Sequence, residues 1–216
     1  MDMPPPITRE NKKERTAFER RRQILGAAVH LFLRKGVADT SMRELATAVG
    51  MTTGGLYHYV RSKDEIVRMV TRNALYAHES VKALRRSLGN VSPTEAFRIC
   101  ARYWLTVTRI GQEQTVFLDR EVAHMAPEMQ HAMEDAVRDL IGFFEGILRD
   151  GIKAGEFEVE SVTLTAFNVY MLRAQYSTRR WFLKDLFAPE EYAELQANAI
   201  LKQILVDKTR MRPGGK

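Results

Sequence analysis

A chain of 216 residues, 45% of them apolar, suffices for one large or two small domains with a packed core. Charges interrupt every helical run before the roughly 18 apolar positions of a membrane span, Met1-Asp2-Met3-Pro4-Pro5-Pro6 holds no apolar leader segment, and the lone Cys100 excludes an intramolecular disulfide or a four-cysteine metal site. The net charge of +6 is unevenly spread, with 17 Lys and Arg against 9 Asp and Glu in residues 1–89 and 16 against 18 in the remainder, so a cytoplasmic protein with one polyanion-binding end is expected.

Residues 1–17 combine a proline run with Arg9, Lys12, Lys13 and Arg15 and lack apolar periodicity, which predicts a flexible basic arm. Over 18–35, Ile24, Ala28, Leu31 and Phe32 mark the buried face of a helix, and Gly36 followed by apolar Val37 is a left-handed helix stop. Ser41, with Glu44 three residues on, reads as a capping box for a short helix closing near Val49. A second box, Ser62-Lys63-Asp64-Glu65, opens a long helix whose Ile66, Val70, Ala74, Ala77, Val81 and Leu84 keep helical spacing as far as Leu88-Gly89. Beyond Asn90-Val91, Ser92-Pro93-Thr94-Glu95 joins a capping box to a proline at the first helical position and predicts a helix reaching Ile110. Helical sequence resumes over 114–124. Pro127 then starts a long run with Met129, Met133, Val137, Leu140, Phe144 and Leu148 on one face, ending near 151–155. Helices over 161–183 and 189–205 complete an all-α chain, and the tail 208–216 reads as disordered.

Residues 41–59 read as two helices joined by a tight turn. Ala46 must be small because the second helix crosses closely over it, Gly50 supplies the positive φ of the turn, and Leu45, Val49, Met51 and Leu56 lock the pair together. Thr52, Thr53, Gly54, Tyr57 and His58 are left pointing outward, on a helix suited to a DNA major groove. Gly54 and Gly55 each cost about 1 kcal/mol relative to Ala, a cost that close approach of backbone to bases or sugar-phosphate explains. Arg43, near a helix start, has the reach for a guanine edge or a phosphate, and the hydroxyls of Ser41, Thr52, Tyr57 and Tyr59 suit phosphate oxygens. Lys63 at the next helix start suits a phosphate too. Arg20-Arg21-Arg22 is either a solvated helix start or a further phosphate contact.

Over residues 22–67 the sequence resembles the N-terminal domain of TetR-family regulators, through Ile24-Leu25-Gly26-Ala27-Ala28, Leu31-Phe32, Lys35-Gly36, Thr40-Ser41-Met42-Arg43-Glu44-Leu45-Ala46, Val49-Gly50, Gly55-Leu56-Tyr57-His58-Tyr59-Val60 and Ser62-Lys63-Asp64-Glu65. The resemblance implies a homodimeric, ligand-responsive repressor of transcription. Its three-helix helix-turn-helix domain binds a double-stranded operator through Ser41, Met42, Arg43, Thr52, Thr53, Gly54, Gly55, Tyr57, His58, Tyr59 and Lys63. The expected organisation is a basic arm over 1–17, the DNA-binding domain over 18–66, a ligand-binding and dimerisation bundle over 67–207, and the tail.

In the second half, most of the large apolar side chains are core material, and a helical bundle that binds a small molecule places the pocket between its helices. The candidates for its lining are Tyr103, Trp104, Val107, Phe117, Phe144, Phe167, Tyr170, Met171, Arg173 and Ala174. Arg173-Ala174-Gln175-Tyr176, Arg179-Arg180-Trp181-Phe182-Leu183 and Pro189-Glu190-Glu191-Tyr192 resemble the TetR-family members that sense acyl-coenzyme A. That implies an apolar tunnel for the acyl chain and arginines 102, 109, 173, 179 and 180 for the phosphates; drugs and aromatic compounds are the alternative effectors. Dimerisation through the last two helices as a four-helix bundle places Trp181, Ala193, Ala197, Ile200 and Ile204 at the interface, and two reading heads then meet a pseudo-palindrome. An enzyme is not expected. Pro127 interrupts the helical spacing of Glu121, His124, Glu128 and His131 that a metal site needs. No Gly-rich phosphate loop, serine elbow or cysteine nucleophile signature occurs, and neither cofactor nor metal is called for.

Overall fold

Ile24, Leu25, Ala28, Val29 and Phe32 fall on one side of a helix and are all buried, which defines the inner face of α1 (Arg9–Lys35). The computed structural model describes the backbone of residues 9–206 and the side chains of Ala17, 19–74 and 77–206. The first eight residues of the expected arm and the tail over 208–216 lie outside the described residues. The stretch from Arg9 onward is helical rather than arm-like. Its Lys, Arg and Glu are good helix formers, and adding a turn to an existing helix needs no apolar face.

Gly36 ends α1 with φ +86° and an N–H to Phe32 O bond of 2.8 Å. Ser41 then caps α2 (Met42–Ala48): its hydroxyl accepts from the Glu44 N–H at 3.2 Å, and its own N–H donates to the Glu44 carboxylate at 2.8 Å. Gly50 turns the chain with φ +66° into α3 (Thr53–Tyr57), and α4 (Lys63–Ser87) follows. The chain divides at Arg72/Asn73 into two compact units, a border inside α4 rather than at the expected 66/67.

The second unit comprises the remainder of α4, α5 (Pro93–Leu105), α6 (Arg109–Glu121), a 3-10 turn (Val122–His124), α7 (Pro127–Lys153), α8 (Val162–Thr178), α9 (Arg180–Leu183) and α10 (Pro189–Ile204). Among the described residues there is no strand, just one antiparallel bridge between Phe157 and Leu205. Its core joins Phe97, Cys100 and Leu105 of α5, Leu140, Phe144 and Leu148 of α7, Ala166 and Val169 of α8, and the inner face of α10. Burial pushes the Cys100 thiol up to about 11, as an inert structural residue requires.

Three expectations are corrected here. The helix predicted to reach Ile110 stops at Leu105, because the β-branched run Thr106-Val107-Thr108 leaves the helix and Thr108 caps a new one by accepting from the Gly111 N–H at 3.2 Å. The helix predicted over 161–183 ends at Thr178, where the hydroxyls of Ser177 and Thr178 bond the carbonyls of Arg173 and Ala174, a back-bonding that bends helices. Finally, Ala193, Ala197, Ile200 and Ile204, expected at a subunit interface, are buried in the chain's own core on the face of α10 that packs on α5. An Ala and Ile stripe suits any close helix neighbour, and α5 buries the small residues Ala96, Cys100 and Ala101 in the same core.

Gly151, buried in α7, marks the tightest contact of this unit: a Cβ there would stand 1.9 Å from Phe157 Cδ2. Gly151→Ala is therefore expected to destabilise the unit by about 1–3 kcal/mol or more, as overpacking does, read as a lower urea midpoint. A midpoint equal to that of the wild type contradicts this packing.

Candidate functional site

The α3 helix is five residues long and is fixed to the first unit by Leu56, whose side chain is fully buried, and by the Thr52 hydroxyl, which accepts from the Gly55 N–H at 3.0 Å. The opposite edge faces solvent. Thr52, Gly54, Tyr57 and His58 are exposed, while Thr53, Gly55 and Tyr59 are half-buried. On α2, Arg43 is exposed and Met42 half-buried, and Arg43 forms no ion pair among the described residues.

The two glycines of α3 differ. A Cβ at Gly55 would meet Thr52 Oγ1 at 3.2 Å, so Gly55 protects the helix cap, whereas a Cβ at Gly54 would meet nothing within 4 Å. No packing among the described residues explains Gly54. Ser41 is more constrained than the sequence suggests, since its O–H is donated to Glu44 at 2.8 Å and is not free for a phosphate. Glu44 also pairs with Lys35, and the hydrogen bonds from Lys35 and Ser41 hold its carboxyl at about 2. Lys63 spends two of its three N–H donors on the carbonyls of Val37 and Ala38, both at 2.7 Å. The residue expected to clamp a phosphate thus ties down the turn after α1.

A second constellation lies in the other unit, where the end of α5, the start of α6 and α8 meet. The Trp104 ring stacks on Tyr170 with centroids 6.1 Å apart, takes the edge of His78 at 5.3 Å, and carries the Arg173 guanidinium 4.5 Å from its centroid. Arg173 Nη1 donates to the Trp104 carbonyl at 2.6 Å. Desolvation lowers Arg173 to about 10, so it stays charged at neutral pH, and among the described residues the titratable groups acting on it are the phenols of Tyr103 and Tyr170. Gln112 donates through Nε2 to the Val107 carbonyl at 3.1 Å, but among the described residues its Oε1 is buried without a partner, as is Trp104 Nε1. Asn73 donates to Gln114 Oε1 at 3.0 Å. His78 Nδ1 donates to the Ala136 carbonyl at 3.1 Å, and burial lowers the pKa of its ring.

Of the ten residues expected to line a pocket, Trp104, Val107, Tyr170 and Arg173 come together around this cluster. Tyr103, Phe167 and Met171 turn outward, Phe144 packs between Phe97 and Phe143 in the core, Phe117 is buried, and Ala174 is half-buried. Gln112, Gln114, Asn73 and His78 were not anticipated. The missed signal is a polar residue at a core position: once α6 starts at Arg109, Gln114 shares the buried i, i+3, i+4 pattern with Phe117 and Leu118. Two arginines expected to hold phosphates are engaged elsewhere, Arg102 with Glu194 at 3.2 Å and Arg109 with Glu113 at 2.8 Å.

The profile of bacterial regulatory proteins of the tetR family matches residues 24–70, which include α2 and α3, and the profile of a tetracyclin repressor-like C-terminal domain matches residues 90–204, more than half of the chain. The chain belongs to the TetR family of transcriptional regulators. It is similar to the HTH-type transcriptional regulator HbdR of Aromatoleum sp. (strain CIB), with 25% identity over 178 residues, 82% of this chain and 76% of that protein. The structure of PfmR, a TetR-family regulator from Thermus thermophilus, is 28% identical with a TM-score of 0.68 and covers 83% of this chain and 97% of its own. AibR in complex with isovaleryl coenzyme A and operator DNA shares the fold at 22% identity and a TM-score of 0.63, covering 83% and 97%. This TetR-family regulator is a DNA-binding protein rather than an enzyme, and among its described residues no helix is long and apolar enough to cross a membrane.

Lys63→Met in this regulator is expected to cost the first unit about 1–3 kcal/mol, the range for lost hydrogen bonds to a charged group, seen as a lower melting temperature in the absence of DNA. A lysine serving DNA alone leaves that temperature unchanged.

Proposed function

We propose that this regulator is a repressor that binds a pseudo-palindromic operator as a homodimer and leaves it when a small apolar or amphipathic effector occupies the C-terminal unit. The observation that carries the operator reading is the solvent-facing edge of α3, held out by one buried leucine. Arg43 reads a base edge or a phosphate, Tyr57, His58 and Thr53 meet the groove, and the Thr52 hydroxyl, which accepts from Gly55, keeps its hydrogen for a phosphate oxygen. Gly54 lets the backbone come close.

The dimer contact moves from the buried stripe of α10 to the outer face of α8. There Leu164, Phe167 and Met171, at i, i+3 and i+7, are 57%, 41% and 43% exposed, and Trp181 of α9 is 72% exposed. A row of apolar side chains on one helix face suits the same row on a second copy. For the effector, the likeness to AibR, whose structure holds isovaleryl coenzyme A, supports an acyl-coenzyme A. The pairing of Arg102 and Arg109 with carboxylates removes two of the cations that its phosphates need.

Fluorescence anisotropy with the DNA upstream of the protein's own gene tests the reading. Affinity should fall steeply with salt, as phosphate neutralisation requires. Arg43→Ala should weaken specific binding about 10–100-fold, matching the roughly 1–3 kcal/mol of a base contact, without changing the melting temperature. Gly54→Ala should melt no lower than the wild type, since Ala is the better helix former, and still bind the operator more weakly. If both variants bind like wild type, the α2 and α3 edge is not the reading surface. Phe167→Glu is expected to yield monomers in sedimentation velocity; a variant that stays dimeric places the dimer contact elsewhere.

A further inference from the structure

Three features around Trp104 have no answer among the described residues. Arg173 is a half-buried cation, yet no ion pair reaches it among the described residues; its contacts run to the Trp104 carbonyl and ring. Trp104 Nε1 is a buried donor with no acceptor, and Gln112 Oε1 is a buried acceptor with no donor, in residues that are each 3% exposed. Buried polar groups are ordinarily satisfied, and a cation partly withdrawn from water is best served by an anion beside it. The three belong to one place. Arg173 is bonded to Trp104, Gln112 is bonded to Val107 three residues on, and Gly111 stands between them: a Cβ there would lie 3.7 Å from Arg173 Nη2 and 2.9 Å from Val107 Cγ2. Gly111 therefore sits against both Val107 and the guanidinium, and a side chain at this position would crowd Val107.

We infer that this cluster is the recognition end of the effector site and takes a small monocarboxylic acid that also carries a hydroxyl or N–H donor on an apolar body. The carboxylate accepts from Arg173 Nη2 and Trp104 Nε1, and the ligand's donor satisfies Gln112 Oε1. Val107 and Tyr170 offer the apolar contact beside it. The inference rests on the effector reading and narrows it. A coenzyme A ester carries several phosphate charges, whereas this cluster holds a single cation, and Arg102 and Arg109 are already paired with acids.

The test is a thermal-shift and calorimetric panel on the full chain, using mandelate, 3-phenyllactate and 2-hydroxyoctanoate, the primary amide of each, and isovaleryl-coenzyme A. It is run with wild type, Trp104→Phe and Gln112→Glu. Trp104→Phe removes a donor that has no partner in the free protein, so it forfeits no intramolecular hydrogen bond; Gln112→Glu places a permanent anion beside Arg173. The expected result is that at least one acid binds wild type, that its amide binds at least about tenfold more weakly, and that both variants lose about tenfold or more, the worth of one charge-assisted hydrogen bond. The inference is overturned if no acid binds, if an amide binds as well as its acid, or if both variants bind the acid like wild type. Operator release, measured in parallel, keeps the two readings apart. An acid that binds through these residues but leaves DNA bound sustains the site and refutes the effector reading. Release by isovaleryl-coenzyme A that is equal in wild type and both variants refutes the site and sustains the effector reading.

Discussion

A helix of five residues has no stability of its own, because nucleation costs more than one turn of hydrogen bonds returns. The solvent-facing edge of α3 in this TetR-family regulator depends on how the helix is held despite that. Full burial of Leu56 contributes about 1.5–3 kcal/mol, and the Thr52 cap adds about 1 kcal/mol. With the apolar demand met by a single residue, Thr53, Gly54 and Tyr57 of α3 and His58 at its C-cap need not supply apolar anchors. Two of the cations nearby are committed to the frame: Lys35 to Glu44, and Lys63 to the carbonyls after α1. Arg43 is left as the one cation on α2, with no ion pair among the described residues.

The C-terminal unit solves the opposite problem. Its core is apolar and closed around α5, α7, α8 and α10, with rings such as Phe97, Phe144 and Phe157 meeting edge to face at centroid distances of 6.3–6.4 Å. Into its margin it brings a guanidinium. Desolvating such a charge costs several kcal/mol. Contact with an aromatic face returns about 0.5–2 kcal/mol, and a charge-assisted bond to a carbonyl about 1.5–3 kcal/mol. Those offsets cover much of the cost but provide no counter-charge, and they leave the indole N–H and the Gln112 carbonyl unanswered. A core built for stability alone would place a Met or Leu at position 173.

The N-terminal unit was legible in the sequence because its determinants are local. Capping boxes, a glycine at each left-handed position and an i, i+4 apolar face act within a few residues, and Ser41, Gly36, Gly50 and Leu56 behave as their types dictate. The C-terminal unit was legible in its class but not in its contacts. The Ala and Ile stripe of α10 fits a partner subunit or α5 equally well by composition, and the choice between them depends on where α5 lies, which is set far away in the chain. The break at Thr106-Val107-Thr108 was missed because β-branched residues weaken a helix by only a few tenths of a kcal/mol each, too little to override periodicity. With the start of α6 placed at 114 rather than Arg109, its buried face, which includes Gln112 and Gln114, was not drawn. Arg173, by contrast, stood out in the sequence as a candidate, though its seat on the Trp104 ring did not.

A regulator of this kind responds to a ligand only as far as the ligand prefers one geometry over another. Reversing a 99:1 population requires about 5.5 kcal/mol of differential affinity. From apolar contact alone, at about 25 cal/mol per Å2, that means burying roughly 220 Å2 more in one state than in the other, a large change for a small molecule whose apolar surroundings can slide without losing contact. Hydrogen bonds are shorter-ranged and directional. An anion bonded to Arg173 and Trp104 Nε1, with a donor on Gln112, gathers three interactions of about 1–3 kcal/mol each into one spot, and a small displacement of α6 against α8 spoils them together. His78, whose ring edge meets Trp104, and Asn73, bonded to Gln114, both lie on α4, the unbroken helix whose first turn carries Lys63. The polar groups that make the cluster expensive in the empty protein are therefore also the ones able to make a small ligand discriminate strongly between states.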